Sequence, residues 1–261
     1  MREVLDLASQ LSDLPEVRGH APWPNHEYVK GWGVFGLPFD SGHILALRVF
    51  PENDFGSYKS LWHSPPTGGW SIHVDGARLD TACPRYYEAA CRYTGFAKIA
   101  LTWTGPSTLR VTMDTPSLDW TLTASSTTLL DLLNVISATL PIATWKPRSL
   151  VRLRELMGAA LGMGQMPLSA KMPSGHVGIL MPKRMYFIES SRAVLDGVDL
   201  GHPAHLPDNP SIGEVRLPRR GVLAMGQGVW KIRDRVEYDR TRSEILTRTQ
   251  LRKDAAGPSI P

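Results

Sequence analysis

Side chains that could transfer a proton lie close to tryptophans in the first half of the chain. Asp40 falls in the turn Asp40-Ser41-Gly42, Tyr58 begins a strand-like run, and Asp75 ends another. A carboxyl or phenol group in an apolar environment can act as a general acid or base without a cofactor. We therefore predict Asp40, Tyr58 and Asp75 as the catalytic residues of an enzyme that uses no cofactor.

Aromatic rings are the second chemical feature of the sequence, which contains eight Trp, seven Tyr and six Phe. In a small β-barrel, a row of rings on one face of the strands either fills the core or lines a ligand cavity. A cavity would make Trp62, Trp70, Trp103 and Trp120 substrate-binding residues. A filled core would leave the same four residues only a packing role.

Arg48 interrupts the most apolar predicted strand, and we predict it to contact substrate. If its side chain points inward, the buried cation needs a carboxylate, for which Asp40, Asp75 and Asp114 are candidates. Such a pair could orient a substrate or hold a proton donor. The alternative is an outward Arg48 on a solvated face.

Histidine spacing raises the question of a metal site. His73 and Asp75 project to the same face of one strand, and His63 could face them across a hairpin, so that two imidazoles and a carboxylate could meet. The alternative is a polar, solvated strand face. Because the chain has no HExxH or CxxC motif, we predict no metal and retain His73 as a substrate-binding residue.

Nucleophile and phosphate-binding motifs are weak. The chain has no G-x-S-x-G elbow, and its glycine-rich runs do not follow a strand and open a helix. Arg85 could lower the pKa of the nearby Cys83 thiol, but a cysteine beside two tyrosines is more often a small buried apolar residue.

The elements that must position these residues are short strands separated by turn residues. Hairpin loops such as Asp40-Ser41-Gly42 and Thr104-Gly105-Pro106 predict antiparallel neighbours, which would close into a barrel or pack as a sandwich. The predicted strands are 33–39, 43–50, 58–64, 70–75, 97–103, 108–114 and 118–124 in the first half, and 167–171, 176–181, 185–190, 193–196 and 221–232 in the second.

Helical spacing of leucines interrupts the strands in the middle of the chain, with Ser126 or Thr127 as a predicted N-cap. The predicted fold is α+β and β-dominated, an antiparallel meander forming a lipocalin-like barrel or double half-barrel with a central helical pair. The predicted organisation is 1–125 (N-terminal helix and first β half), 126–163 (helical pair), 164–235 (second β half) and 236–261 (basic tail).

One segment resembles the opening barrel of the lipocalin-like carotenoid hydratase family, of the hydroxyneurosporene synthase type. The resemblance covers less than a fifth of the chain and rests on Trp32, Asp40-Ser41-Gly42, Leu45 to Phe50, Phe55-Gly56-Ser57-Tyr58 and Trp70. It implies a double barrel with an apolar pocket, and a non-redox hydration, isomerisation or cyclisation of a hydrophobic substrate.

Composition restricts the cellular setting and the partners. Two cysteines cannot build a disulfide framework, which favours a cytoplasmic protein, and no apolar run approaches the ~18 residues of a membrane span. The net charge of +4 is concentrated between residues 231 and 253, with eight basic and four acidic residues. Because nucleic-acid-binding domains spread basic residues over a face, we predict no nucleic-acid partner.

Three functions remain open from the sequence. The first is a cofactor-independent lyase or isomerase acting on an apolar small molecule in a Trp-lined barrel pocket. The second is a non-catalytic carrier of a hydrophobic ligand, and the third is a protein-interaction domain without a cavity. The sequence does not determine the oligomeric state.

Overall fold

The computed structural model describes residues 5–255, with side chains for residues 5–247. The strands are β1 Val17–Arg18, β2 His26–Pro38, β3 Ile44–Asn53, β4 Tyr58–Ser64, β5 Trp70–Asp75, β6 Cys91–Phe96, β7 Ile99–Trp103, β8 Thr108–Met113, β9 Leu118–Ser125, β10 Ser169–Lys171, β11 Val177–Leu195, β12 Val198–Asp199, β13 Ser211–Ile212, β14 Val215–Arg216 and β15 Val222–Lys231.

The α-helices are α1 Leu7–Leu11, α2 Pro84–Tyr87, α3 Thr128–Thr139, α4 Arg148–Gly158 and α5 Arg235–Ala255, with shorter helical turns at Leu79–Thr81, Glu88–Ala90, Ile142–Trp145 and Ala159–Met163. Thr127 caps α3, as one of the two predicted N-caps. Residues 1–4 of the predicted 1–125 region and residues 256–261 of the predicted basic tail lie outside the described residues. No helix within the described part of the chain is long and apolar enough to cross a membrane.

One sheet joins strands from both predicted β halves. Its order is β6-β5-β4-β3-β2-β15-β11-β9-β8-β7, so β15 from near the C-terminus lies between β2 and β11. The short strands β1, β10 and β12 pair at the side of this path, and β13 and β14 form a separate hairpin. The protein is a β-dominated α+β protein with a curled, largely antiparallel half-barrel and a helical pair, as predicted.

The sheet curls until distant strands touch. The rings of Trp32 on β2 and Trp103 on β7 lie 5.8 Å apart, although four strands separate β2 from β7 in the sheet order. The concave core between the two arms contains Leu47, Leu61 and Trp120, and α1 contributes further apolar side chains to it. Burial of this face supplies a large part of the free energy of folding.

The opposite, convex face is also covered. Successive strand residues point to opposite sides, so Ala46, Tyr58 and Trp62 face away from the concave core. They pack against α2 and the 211–217 segment. Strands β3 and β4 are therefore buried on both faces, and the predicted common face of Tyr58, Ser60 and Trp62 is confirmed.

Strand β11 differs from its prediction. We predicted three short runs and a turn at Pro182-Lys183, but Val177–Leu195 is one continuous strand. The turn prediction was wrong because the register against β15 shifts between Pro182 and Arg184. Proline lacks an N–H group, and such a β-bulge accommodates it without ending the strand.

Strand β6 was not predicted, and it pairs with β5 in parallel. The segment Cys91–Phe96 shows no alternation of buried and exposed residues, which removes the usual strand signal. A parallel pair needs a crossover connection, and the short helices between residues 79 and 90 provide it. The sheet is mixed at this edge.

A buried ion pair connects three distant parts of the chain. Glu27 on β2 is completely buried, and Arg85 on α2 donates to its two carboxylate oxygens over 2.9 and 2.7 Å. The Tyr86 hydroxyl donates to the same carboxylate over 2.5 Å, and His176 Nε2 lies 3.8 Å from it. The four residues hold α2 and the β10–β11 turn against the sheet.

Replacing Glu27 by Gln should strongly destabilise the protein. The substitution leaves the buried Arg85 guanidinium with only the half-exposed Glu237 as a counter-charge, at 3.4 Å. We expect the free energy of unfolding to fall by ~3 kcal/mol. Urea denaturation followed by circular dichroism measures the change. The matched control is Asp119→Asn, which breaks the half-exposed Arg110–Asp119 pair and should barely move the midpoint. Equal midpoints for the two variants would contradict the role given to Glu27.

Candidate functional site

The strand tryptophans divide between the two faces of the sheet. Trp32, Trp103 and Trp120 belong to the concave core, whereas Trp62 and Trp70 belong to the convex cluster. Trp120 is fully buried and donates from Nε1 to Ser191 over 2.9 Å. No single cavity therefore gathers all the predicted substrate-binding rings.

A narrow crevice of about 70 Å³ runs along the convex face under α2. We call it the Arg48 crevice, and its wall includes Phe35, Arg48, Tyr58, Trp62, Cys83 and Tyr87. Three of the predicted site residues, Arg48, Tyr58 and Trp62, are thus brought together. Alternation along β3 and β4 places them on one face, and the register pairs Arg48 with Ser60.

Arg48 is the central polar group of this crevice. Its guanidinium is buried and donates to the carbonyl oxygens of Val34 over 2.5 Å, Leu47 over 3.0 Å and Phe35 over 3.2 Å. The ladder between β2 and β3 shifts register between Val34 and Leu37, and Arg48 satisfies carbonyl groups at this irregularity. The cation also lies 4.4 Å from the ring centre of Phe35 and 5.0 Å from that of Trp62.

The charge of Arg48 is not balanced by a carboxylate. None of the described acidic residues forms an ion pair with Arg48, and no Asp or Glu lines the Arg48 crevice. The expected carboxylate partner is replaced by backbone carbonyl oxygens. Burial lowers the pKa of Arg48, but an arginine remains charged at neutral pH.

The crevice wall also includes the exposed Arg216, but the polar groups that face Arg48 are neutral. Burial raises the pKa of Tyr58, Tyr87 and Cys83, so both phenols and the thiol keep their protons near pH 7. The Tyr58 hydroxyl lies 3.5 Å from Cys83 Sγ, and Ser60 donates to the same sulfur over 3.4 Å. Cys83 is therefore a buried thiol and not an activated nucleophile.

A wider apolar groove of about 290 Å³ adjoins the Arg48 crevice. We call it the helix groove, because α3 and α4 form its sides. The two spaces share four wall residues at the β11 bulge and the segment before β10, namely Met166, Leu168, Pro182 and Met185. Trp145 also lines the helix groove, and its buried Nε1 has no hydrogen-bond partner within the described residues.

Asp40 is placed away from both spaces and has a structural role. Its Oδ1 accepts a hydrogen bond from the backbone N–H of His202 over 3.0 Å, and its own N–H donates to the His202 carbonyl over 2.9 Å. Asp40 therefore holds the proline-rich 199–210 segment against the β2–β3 turn. Trp70 holds the residue that follows this segment, because its Nε1 donates to the Ser211 carbonyl over 2.8 Å.

Asp75 lies in a third, wider cleft between β3, β4 and β7, of about 700 Å³, which Tyr58 and Trp103 also line. Its Oδ2 is 3.0 Å from Lys59 Nζ and accepts the Ile99 N–H over 3.1 Å. These bonds join β4 and β5 to β7. Because the Tyr58 hydroxyl turns to Cys83 in the Arg48 crevice, it is not paired with Asp75.

The histidines on the concave side of β3–β5 do not form a metal centre. His43 Nδ1 lies 2.8 Å from His63 Nε2 with the rings stacked, and the buried His73 packs 5.2 Å from Tyr93. No group of three metal-ligating side chains occurs among the described residues. Since Asp75 is bound by Lys59, the carboxylate considered for such a site is already engaged.

Comparison of the chain with known protein families, curated proteins and solved structures finds no match. The candidate site therefore rests on the geometry of the Arg48 crevice and the helix groove.

His63 should make the fold sensitive to acid. Burial, with the nearby His43 and His73, lowers its pKa from 6.5 to about 4, and Asp196 opposes the shift only in part. The unfolded chain then binds the proton more readily, so stability is lost as the pH falls from 6.5 towards 4.

We expect His63→Gln to reduce this loss, as measured by the change in melting temperature between neutral and mildly acidic buffer. His202, which is exposed, provides the matched control, since His202→Gln should keep the wild-type acid sensitivity. An unchanged acid sensitivity in His63→Gln would contradict the assignment.

Proposed function

We propose that the protein binds an amphiphilic small molecule, with an anionic head group at Arg48 and an apolar body along the helix groove. The observation that carries this proposal is the buried guanidinium of Arg48, which has no carboxylate partner, in the wall of a largely apolar crevice. A buried charge without a counter-charge is costly, and a ligand carboxylate would offset that cost. A charge-assisted hydrogen bond to Arg48 would also fix the orientation of the ligand.

The apolar walls of the helix groove suit the apolar body of the proposed ligand. The helix groove, at about 290 Å³, is close to the lower limit of ~300 Å³ for small-molecule pockets. It adjoins the Arg48 crevice, with which it shares wall residues such as Met166 and Met185. Methionine side chains adapt their shape to different apolar guests.

Carriage without chemistry fits the electrostatics better than catalysis. A general base or acid works best with a pKa near the working pH, whereas burial raises the pKa of Tyr58, Tyr87 and Cys83. Arg48 is a fixed cation and cannot exchange protons near neutrality. The cofactor-independent lyase or isomerase remains the alternative proposal, with Tyr58 as its proton donor beside Arg48.

Decanoate and decanol test the proposed head-group contact. We expect decanoate to bind about tenfold or more tightly than decanol, because only the carboxylate forms a charge-assisted bond to Arg48. Titration followed by tryptophan fluorescence measures both affinities, since Trp62 lines the Arg48 crevice and Trp145 the helix groove.

In Arg48→Met the preference for decanoate should disappear, and Arg48→Lys should restore part of it. The control is Arg110→Met, an exposed arginine of β8, which should behave like wild type. Urea midpoints show which variants are folded. Equal binding of decanoate by wild type and a folded Arg48→Met variant would contradict the proposal.

Heavy water distinguishes the carrier from the enzyme. A β,γ-unsaturated fatty acid incubated with the protein in heavy water should show no deuterium at its carbon atoms by NMR if the protein is a carrier. Incorporation that is lost in Tyr58→Phe would favour the isomerase, since a proton donor would then be active in the Arg48 crevice.

A further inference from the structure

The helical pair exposes an unusual amount of apolar surface. Of the sixteen exposed large hydrophobic side chains in the described part of the protein, eight lie on α3 and α4, namely Leu129, Leu132, Val135, Ile136, Leu150, Leu153, Leu156 and Met157. Single exposed apolar residues are ordinary, but a concentration of this kind marks an interaction surface. We call it the apolar helix face.

The orientation of α3 is fixed by polar contacts on its inner side. The Asn134 amide exchanges two 2.8 Å hydrogen bonds with the backbone of Met185 on β11. Lys183 donates to the Leu140 carbonyl over 2.6 Å and so satisfies the C-terminal end of the helix. Leucines on the outer side are therefore held towards solvent.

Basic residues border the apolar helix face. Lys146, Arg148 and Arg152 are exposed at and near the start of α4, next to Leu153 and Leu156. The acidic residues of the two helices are engaged: Asp131 accepts from Ser126, and Glu155 accepts the Leu168 N–H over 2.8 Å. Glu155 also lies 3.8 Å from Arg152, whose side chain is still largely exposed. The surface is apolar in the centre and positively charged along one edge.

We propose that the apolar helix face docks on the surface of an anionic lipid bilayer. Helices that lie in a membrane interface combine large apolar side chains with flanking Lys and Arg, which contact anionic head groups. The inference rests in part on the proposed function, because the helix groove lies between the same two helices and adjoins the Arg48 crevice. An amphiphilic ligand would pass from the bilayer to Arg48 without crossing water.

Charge argues against a second copy of the chain as the occupant. A twofold dimer through this face would bring the same surface of each copy together. The basic edge formed by Lys146, Arg148 and Arg152 would then lie within a shared interface, where like charges repel. An anionic bilayer complements both the apolar centre and the basic edge.

Vesicle flotation tests the docking. The full chain should float with vesicles of equimolar phosphatidylglycerol and phosphatidylcholine, remain in solution with phosphatidylcholine alone, and be released by added sodium chloride. The double substitution Leu132→Glu with Val135→Glu should reduce the bound fraction about tenfold or more. Val236→Glu, at a 79% exposed apolar residue of α5, should float like wild type.

The charge contribution is tested separately. Arg148→Glu with Arg152→Glu should weaken binding to the mixed vesicles by about tenfold or more. Lys98→Glu with Lys231→Glu changes the net charge equally at exposed positions elsewhere, and should have a smaller effect. Matching urea midpoints establish that each variant is folded.

Two outcomes would overturn the docking proposal. One is the absence of flotation with mixed vesicles. The other is a dimer, seen by sedimentation, that dissociates in the Leu132 and Val135 variant. Neither residue lines the helix groove, so the variant should still bind decanoate in the absence of vesicles. If the protein binds decanoate but does not float, the docking proposal is wrong and the proposed ligand function is unaffected. If the protein floats but does not bind decanoate, the proposed ligand function is wrong and only the docking proposal is supported.

Discussion

The buried carboxylate of Glu27 is the interaction on which the arrangement of the convex face depends. Arg85, Tyr86 and His176 surround it from α2 and from the β10–β11 turn. A buried charge of this kind persists only where its partners are fixed, so the ion pair sets the position of α2 over the sheet. That position closes the Arg48 crevice, since α2 and the preceding Cys83 form part of its cover. Glu27 has its counter-charge, and Arg48 does not.

The faces of individual strands were predictable from the sequence, but their place in the sheet was not. Alternation along β4 predicted that Tyr58, Ser60 and Trp62 share a side, because side-chain direction is a local property of a strand. Whether that side faces the concave core depends on the sheet order. Strand β15 lies between β2 and β11, although it follows β2 by nearly 200 residues in the chain. Local alternation carries no information on such a pairing.

The candidate site was also predictable only in part, because the sequence predicts strand faces but not which elements come together. Arg48, Tyr58 and Trp62 were named from the sequence and do line one crevice. Asp40 and Asp75 have structural partners, His202 and Ile99, whose backbone amides approach only in the folded chain. The walls near Met166 and Pro182 and the helix groove come from later elements, and no motif marks them.

The parallel edge strand β6 has a consequence for solubility. It is an outermost strand of the sheet and exposes Tyr93 and Phe96, so its free side is a template on which another chain could add a strand. Charged Arg92 and Lys98 flank these rings and are exposed. Such cations oppose intermolecular strand pairing. They therefore reduce aggregation at the edge of the half-barrel that the curl of the sheet leaves open.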